Sequence, residues 1–175
     1  MIMKKILFVS LVATTLLTSV NGFSQDDKSK RPSPPATATA TTATGNRIAI
    51  NYSQPSVKGR TVGKDIAPYG KVWRTGANEA TVFEISKDAK IEGKYPLKAG
   101  KYGLYSLPGE KKWTVIFNKT WNQWGTVYSE AEDALRVELD TKKAPQFTEK
   151  MTFQVGKDGT VNLMWGDKAV SFTVK

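Results

Sequence analysis

GKYGLYSLPGEKKWTVIFN, residues 100–118, is the stretch that decides the fold class. Two runs rich in aromatic and branched residues, Gly100 to Leu107 and Trp113 to Asn118, are separated by Pro108-Gly109, a pair that interrupts regular structure and turns the chain. The same texture recurs on both sides. Upstream, Arg47 to Ser53 alternates Ile48, Ile50 and Tyr52 on one face, and Ala80 to Ser86 is again rich in β formers. Downstream come Leu135 to Asp140, Met151 to Val155, Val161 to Trp165 and Val170 to Val174. Lys157-Asp158-Gly159 and Gly166-Asp167 are turn signals that set the last three runs as consecutive hairpins. Helix is confined to a turn or two near Ser129 to Leu135, where acidic residues follow a serine. Eight or nine short strands without βαβ spacing predict an all-β domain, an antiparallel β-sandwich or a barrel-like form.

Between the first two of these strands lies PYGKVWRTGANEA, residues 68–80. Its glycines and proline mark a shaped loop, and it concentrates an aromatic, a guanidinium, an amide and a carboxylate between Trp73 and Glu79. Loops of that composition on a rigid scaffold are where binding groups tend to sit. Arg74 can grip a carboxylate or phosphate through two parallel hydrogen bonds. Asn78 and Glu79 can hydrogen-bond hydroxyls, while Trp73, Tyr105, Trp121 and Trp124 offer flat faces for sugar rings or aryl groups. The structural alternative for Arg74 and Glu79 is an internal ion pair that pins the loop before its strand. Trp113 and Trp165 lie within apolar runs and read as core, whereas Trp121 and Trp124, in NKTWNQWG, serve equally as core or as an exposed platform.

The amino-terminal residues carry a different signal. Lys4 and Lys5 precede the apolar run Ile6 to Val20, and Gly22-Phe23-Ser24 places small residues at the cleavage positions, so Met1 to Ser24 reads as a signal peptide cut before Gln25. The run is shorter than the roughly 20 strongly apolar residues of a spanning helix. The expectation is a mature protein, periplasmic or extracellular, with no integral membrane segment. Residues 25–44 pass from charged to proline-rich to alternating alanine and threonine, and are expected to form a disordered linker. Residues 45–175 then make one β domain of a size that needs no covalent staples.

The chain carries 26 lysines and arginines against 16 acidic residues, a net charge of +10. Its basic residues are scattered along strands and turns with acids interleaved, and no nucleic-acid-binding motif is present, so nucleic acid is not an expected partner. A small-molecule ligand or an anionic polymer is. Histidine and cysteine are absent, which removes Ser-His-Asp and Cys-His nucleophiles, zinc sites of the usual kind, and disulfides. No phosphate-cradling glycine-rich loop precedes a helix. Glu130, Glu132 and Asp133 lack the spacing of a calcium loop. No cofactor, metal site or catalytic residue is therefore assigned. A two-carboxylate hydrolase survives these exclusions, with Glu79 as one member and Asp133 or Glu84 as the other.

PYGKVWRTGANEAT, LKAGKYGLYSLPG, WTVIFNK, WG and MTF together resemble the secreted bacterial family catalogued as domain of unknown function 2911. The resemblance runs from about Asn46 to Lys175. It implies a compact, exported, mostly β domain with no established activity, and it carries over no catalytic residue. Three readings follow: a non-catalytic ligand-binding module of the cell envelope, a structural or partner-binding envelope domain, and the carboxylate hydrolase.

Overall fold

The computed structural model describes residues 27–175. The expected signal peptide and its cleavage point lie outside the described residues. The fold is all-β. A six-stranded antiparallel sheet has the order β1 (Pro35–Thr41), β2 (Arg47–Ser53), β3 (Thr81–Ile85), β6 (Gly100–Leu107), β7 (Lys112–Asn118), β8 (Asp133–Asp140). Between β3 and β6 the chain makes a small hairpin, β4 (Ala89–Ile91) and β5 (Tyr95–Leu97). A long two-stranded ribbon, β9 (Lys142–Val155) and β10 (Thr160–Thr173), completes the molecule.

Strand alternation sets the two faces of the sheet. Ile48 and Ile50, Phe83 and Ile85, Leu104, Trp113 and Phe117, and Val137 and Leu139 point to one side and are buried. The ribbon lies across that side and contributes Met151, Phe153, Val161, Leu163, Trp165 and Phe172 to the same core. Edge-on aromatic contacts join the layers, with Tyr52 to Phe153 at 5.0 Å and Phe117 to Phe172 at 5.8 Å. The arrangement is a sandwich and not a closed barrel. Tyr105 and Ile116, on the opposite face of the sheet, form a second, smaller cluster with Ala80 and the half-buried Tyr128.

Two local expectations are corrected. Gly166-Asp167 does not turn the chain; β10 runs through it from Thr160 to Thr173. Gly166 takes a φ of 60°, and the pairing register with β9 shifts on either side of it. A glycine-aspartate pair within a strand pattern marks a bulge where the partner strand is long enough to keep pairing. The disordered linker expected over 25–44 contains β1, which pairs with β2 along its full length from Pro35↔Ser53 to Thr41↔Arg47. Its alanines Ala36 and Ala38 pack against the core, and Thr37 and Thr39 donate to Asn51 Oδ1 and to the Ile48 carbonyl, each at 2.8 Å. Backbone pairing supplies what the small side chains do not. The short helical element survives as a single turn of 3₁₀ helix, Glu130–Glu132, whose Ser129 makes no side-chain cap.

Candidate functional site

The loop 68–80 closes one end of the sandwich, and its shape follows from three fastenings. Trp73 exchanges backbone hydrogen bonds with Ser106 at 2.8 and 2.9 Å, continuing the sheet beside β6 where β3 has ended. Thr75 donates to Ser106 Oγ at 3.0 Å, and Thr81 donates to the Thr75 carbonyl at 2.8 Å. Thr75 and Asn78 sit at φ of 48° and 60°. A β-branched residue in the left-handed region is strained, and such strain persists only where the surroundings impose it.

This geometry divides the sequence-predicted set. Trp73, Arg74 and Tyr105 come together, with Val72, Gly125, Thr126 and Tyr128, around an open cleft of about 360 Å³. The Trp73 ring stacks on Trp165 at 5.1 Å and meets Trp113 edge-on at 6.1 Å, which fixes the start of the cleft wall to the core. Trp113 and Trp165 themselves are buried, as their place in apolar runs implied. Arg74 is half-buried, and its Nε is sheltered from solvent without an acceptor. No carboxylate lies in ion-pair range of it among the described residues, so the alternative of an internal Arg74–Glu79 ion pair is not realised. Gly125 packs its bare backbone on the Arg74 stem. A Cβ there would collide with the Arg74 side chain and lie 2.7 Å from the Asn78 carbonyl.

The opposite wall belongs to the segment 119–129, held by one buried amide. Asn118 Nδ2 donates to the Ser129 carbonyl at 2.9 Å and to Asp133 Oδ1 at 2.8 Å, and its Oδ1 accepts from Thr120 N at 3.0 Å. Both phenols of the cleft are committed internally. Tyr105 donates to the Val127 carbonyl at 2.8 Å and accepts from Gln123 at 3.0 Å. Tyr128 donates to Asp133 at 2.7 Å and accepts from Arg136 at 2.7 Å. Burial raises the Tyr105 pKa, and burial together with the bond to Asp133 pushes that of Tyr128 up to about 12. Both stay protonated across the physiological range.

Asn78 and Glu79 do not face this cleft. Asn78 donates to the Ser33 carbonyl at 3.0 Å and to Ser53 Oγ at 3.2 Å. Glu79 receives Lys28 at 2.9 Å and both its oxygens accept from Arg31, at 3.0 and 3.1 Å. These residues fasten the amino-terminal segment to the loop. The bond from Lys28, with backbone and Arg31 donors, holds the Glu79 carboxyl down at about 2. A carboxyl that acidic is no general acid at neutral pH. Its proposed partners are also engaged, Glu84 with Arg47 at 3.1 Å and Asp133 with Arg136 at 2.7 Å. Trp124 is exposed, and pairs through its backbone with Glu79. Trp121 is half-buried under Lys101, whose Nζ stands 4.9 Å from its ring. Neither lines the cleft.

A second cleft, of about 300 Å³, shares Trp73 and Arg74 and is lined also by Arg60, Ile66 and Trp165. Among the described residues no group of three or more His, Cys, Asp or Glu side chains is placed to hold a metal ion, and no helix is long and apolar enough to cross a membrane. Sequence reasoning missed Val72, Thr126 and Tyr128 as cleft residues. The glycine closing NKTWNQWG was the available signal, because a glycine packed under an arginine stem marks a close approach.

The family model described as "Protein of unknown function (DUF2911)" matches residues 33–174, and the chain belongs to that family. The match takes in β1, in keeping with its place in the sheet. No curated protein matches the chain, and no solved structure does.

Proposed function

From membership of a family whose description states no activity, we propose that this chain is a non-catalytic ligand-binding module, exported to the periplasm or beyond, with its site at the Arg74 cleft. One observation carries the reading. Arg74, itself half-buried, brings a positive charge to an aromatic-walled cleft and meets no carboxylate among the described residues. Sheltering an uncompensated cation costs stability, and an anionic ligand that pairs with the terminal guanidinium nitrogens offsets that cost on binding. The walls that hold the charge are rigid, since Trp73 is anchored to the core and Asn118 fixes the segment opposite. Preorganisation of that kind lowers the entropic cost of association.

The test is the melting temperature of the wild type and of Arg74→Met against a panel of organic anions, including acidic sugars, cell-wall fragments, aryl carboxylates and fatty acids. At least one anion should raise the Tm of the wild type and leave that of the variant unmoved. Equal shifts in both proteins, or none across the panel, would overturn the reading.

The partner-binding alternative keeps one specific support. Asn78 and Glu79, which sequence reasoning offered as ligand groups, are architectural and tie residues 28–33 to the loop.

A further inference from the structure

Resting on the Arg74 reading, we infer that the ligand is an amphipathic organic anion, a carboxylate or sulfonate on an apolar aliphatic or aryl body, and not a sugar acid. Val72, one of the exposed large apolar side chains among the described residues, lines the cleft. Beside it the cleft wall carries the rings of Trp73, Tyr105 and Tyr128. An exposed apolar side chain set among aromatic rings in a cleft favours a ligand with an apolar body.

The polar groups point the same way. A sugar acid must satisfy several hydroxyls on binding, or lose the hydrogen bonds that they made to water. Both phenolic hydroxyls of the cleft are already donor and acceptor in internal bonds, Tyr105 with Val127 and Gln123, Tyr128 with Asp133 and Arg136. Their rings present apolar faces while their oxygens are occupied. Arg74 is thus the one charged side chain that lines the cleft, beside Val72 and the rings of Trp73, Tyr105 and Tyr128, which complements one anionic head on an aliphatic or aryl body. A cleft of about 360 Å³ accommodates an aryl group or a medium-length acyl chain.

Octanoate, 8-anilinonaphthalene-1-sulfonate and glucuronate are the probes. The naphthalene sulfonate should bind the folded protein saturably at one site with enhanced fluorescence, and octanoate should displace it while glucuronate does not. Arg74→Met should weaken binding of both amphipathic probes by about tenfold or more, the worth of a charge-assisted hydrogen bond. Val72→Ser, at an exposed position that lines the cleft, should weaken octanoate by about fourfold, the worth of roughly one buried methyl group. If glucuronate binds in an Arg74-dependent way and Val72→Ser leaves affinities unchanged, the amphipathic ligand is wrong while the Arg74 site stands. If no probe responds to Arg74→Met, both fail.

Discussion

Replacing Arg74 with methionine keeps the stem that packs on Gly125 and removes a guanidinium whose Nε is sheltered without a partner. Folding stability should therefore hold or rise, by up to about 1 kcal/mol, even as binding is lost. Urea unfolding measures the first, and a loss above about 2 kcal/mol would mean that Arg74 is structural. Gly125→Ala makes the converse case. Its Cβ has no room beside Arg74 and the Asn78 carbonyl, so it should cost about 1–3 kcal/mol and displace the guanidinium from the cleft. An alanine variant as stable as the wild type and with unaltered binding would contradict the packing described. At this scale the sequence was partly legible. Trp73, Arg74 and Tyr105 were identifiable from residue type and do converge. Asn78 and Glu79 were assigned to the ligand because their true partners, Ser33, Lys28 and Arg31, lie in a segment with no apolar pattern to announce that it packs.

That segment defines the element scale. β1 buries no large side chain, yet all seven of its residues pair with β2, and Lys28 and Arg31 reach Glu79. Deleting residues 27–43 should lower the Tm by more than about 5 °C, because it strips a ladder from β2 and uncovers core beneath Ala36 and Ala38. An unchanged Tm would show that the strand is dispensable. The Glu79 clasp has a pH signature. Its pKa is lowered from 4.5 to about 2 by Lys28 first, so its contribution is complete above pH 4.5 and is lost as pH falls through about 2. The stability difference between wild type and Glu79→Gln should be constant near neutrality and close over that window, and a difference that persists below it would refute the clasp. Periodicity located β2, β3, β6 and β7 well, since apolar and polar residues alternate or branched and aromatic residues cluster there. It failed for β1, which stands on backbone pairing, and it split β10 at Gly166, where a bulge resembles a turn in one dimension.

For the molecule as a whole, the antiparallel sandwich was readable from strand spacing, whereas strand order was not. β4 and β5 went unseen because each is three residues long, and they join the rest through Ile91 pairing with Val174 at the carboxyl end. The consequence for function is positional. The loop 68–80 emerges between β2 and β3, and segment 119–129 between β7 and β8, so the sheet brings together walls that are distant in sequence. The central claim is that these walls form one ligand site around Arg74. Amide and side-chain chemical-shift mapping with octanoate tests it most directly. The account predicts saturable shifts confined to Val72 to Arg74 and Gly125 to Tyr128, requiring about tenfold or more octanoate in Arg74→Met. Shifts centred instead on the amino-terminal clasp or the β9–β10 ribbon, or no saturable shifts at all, would contradict it.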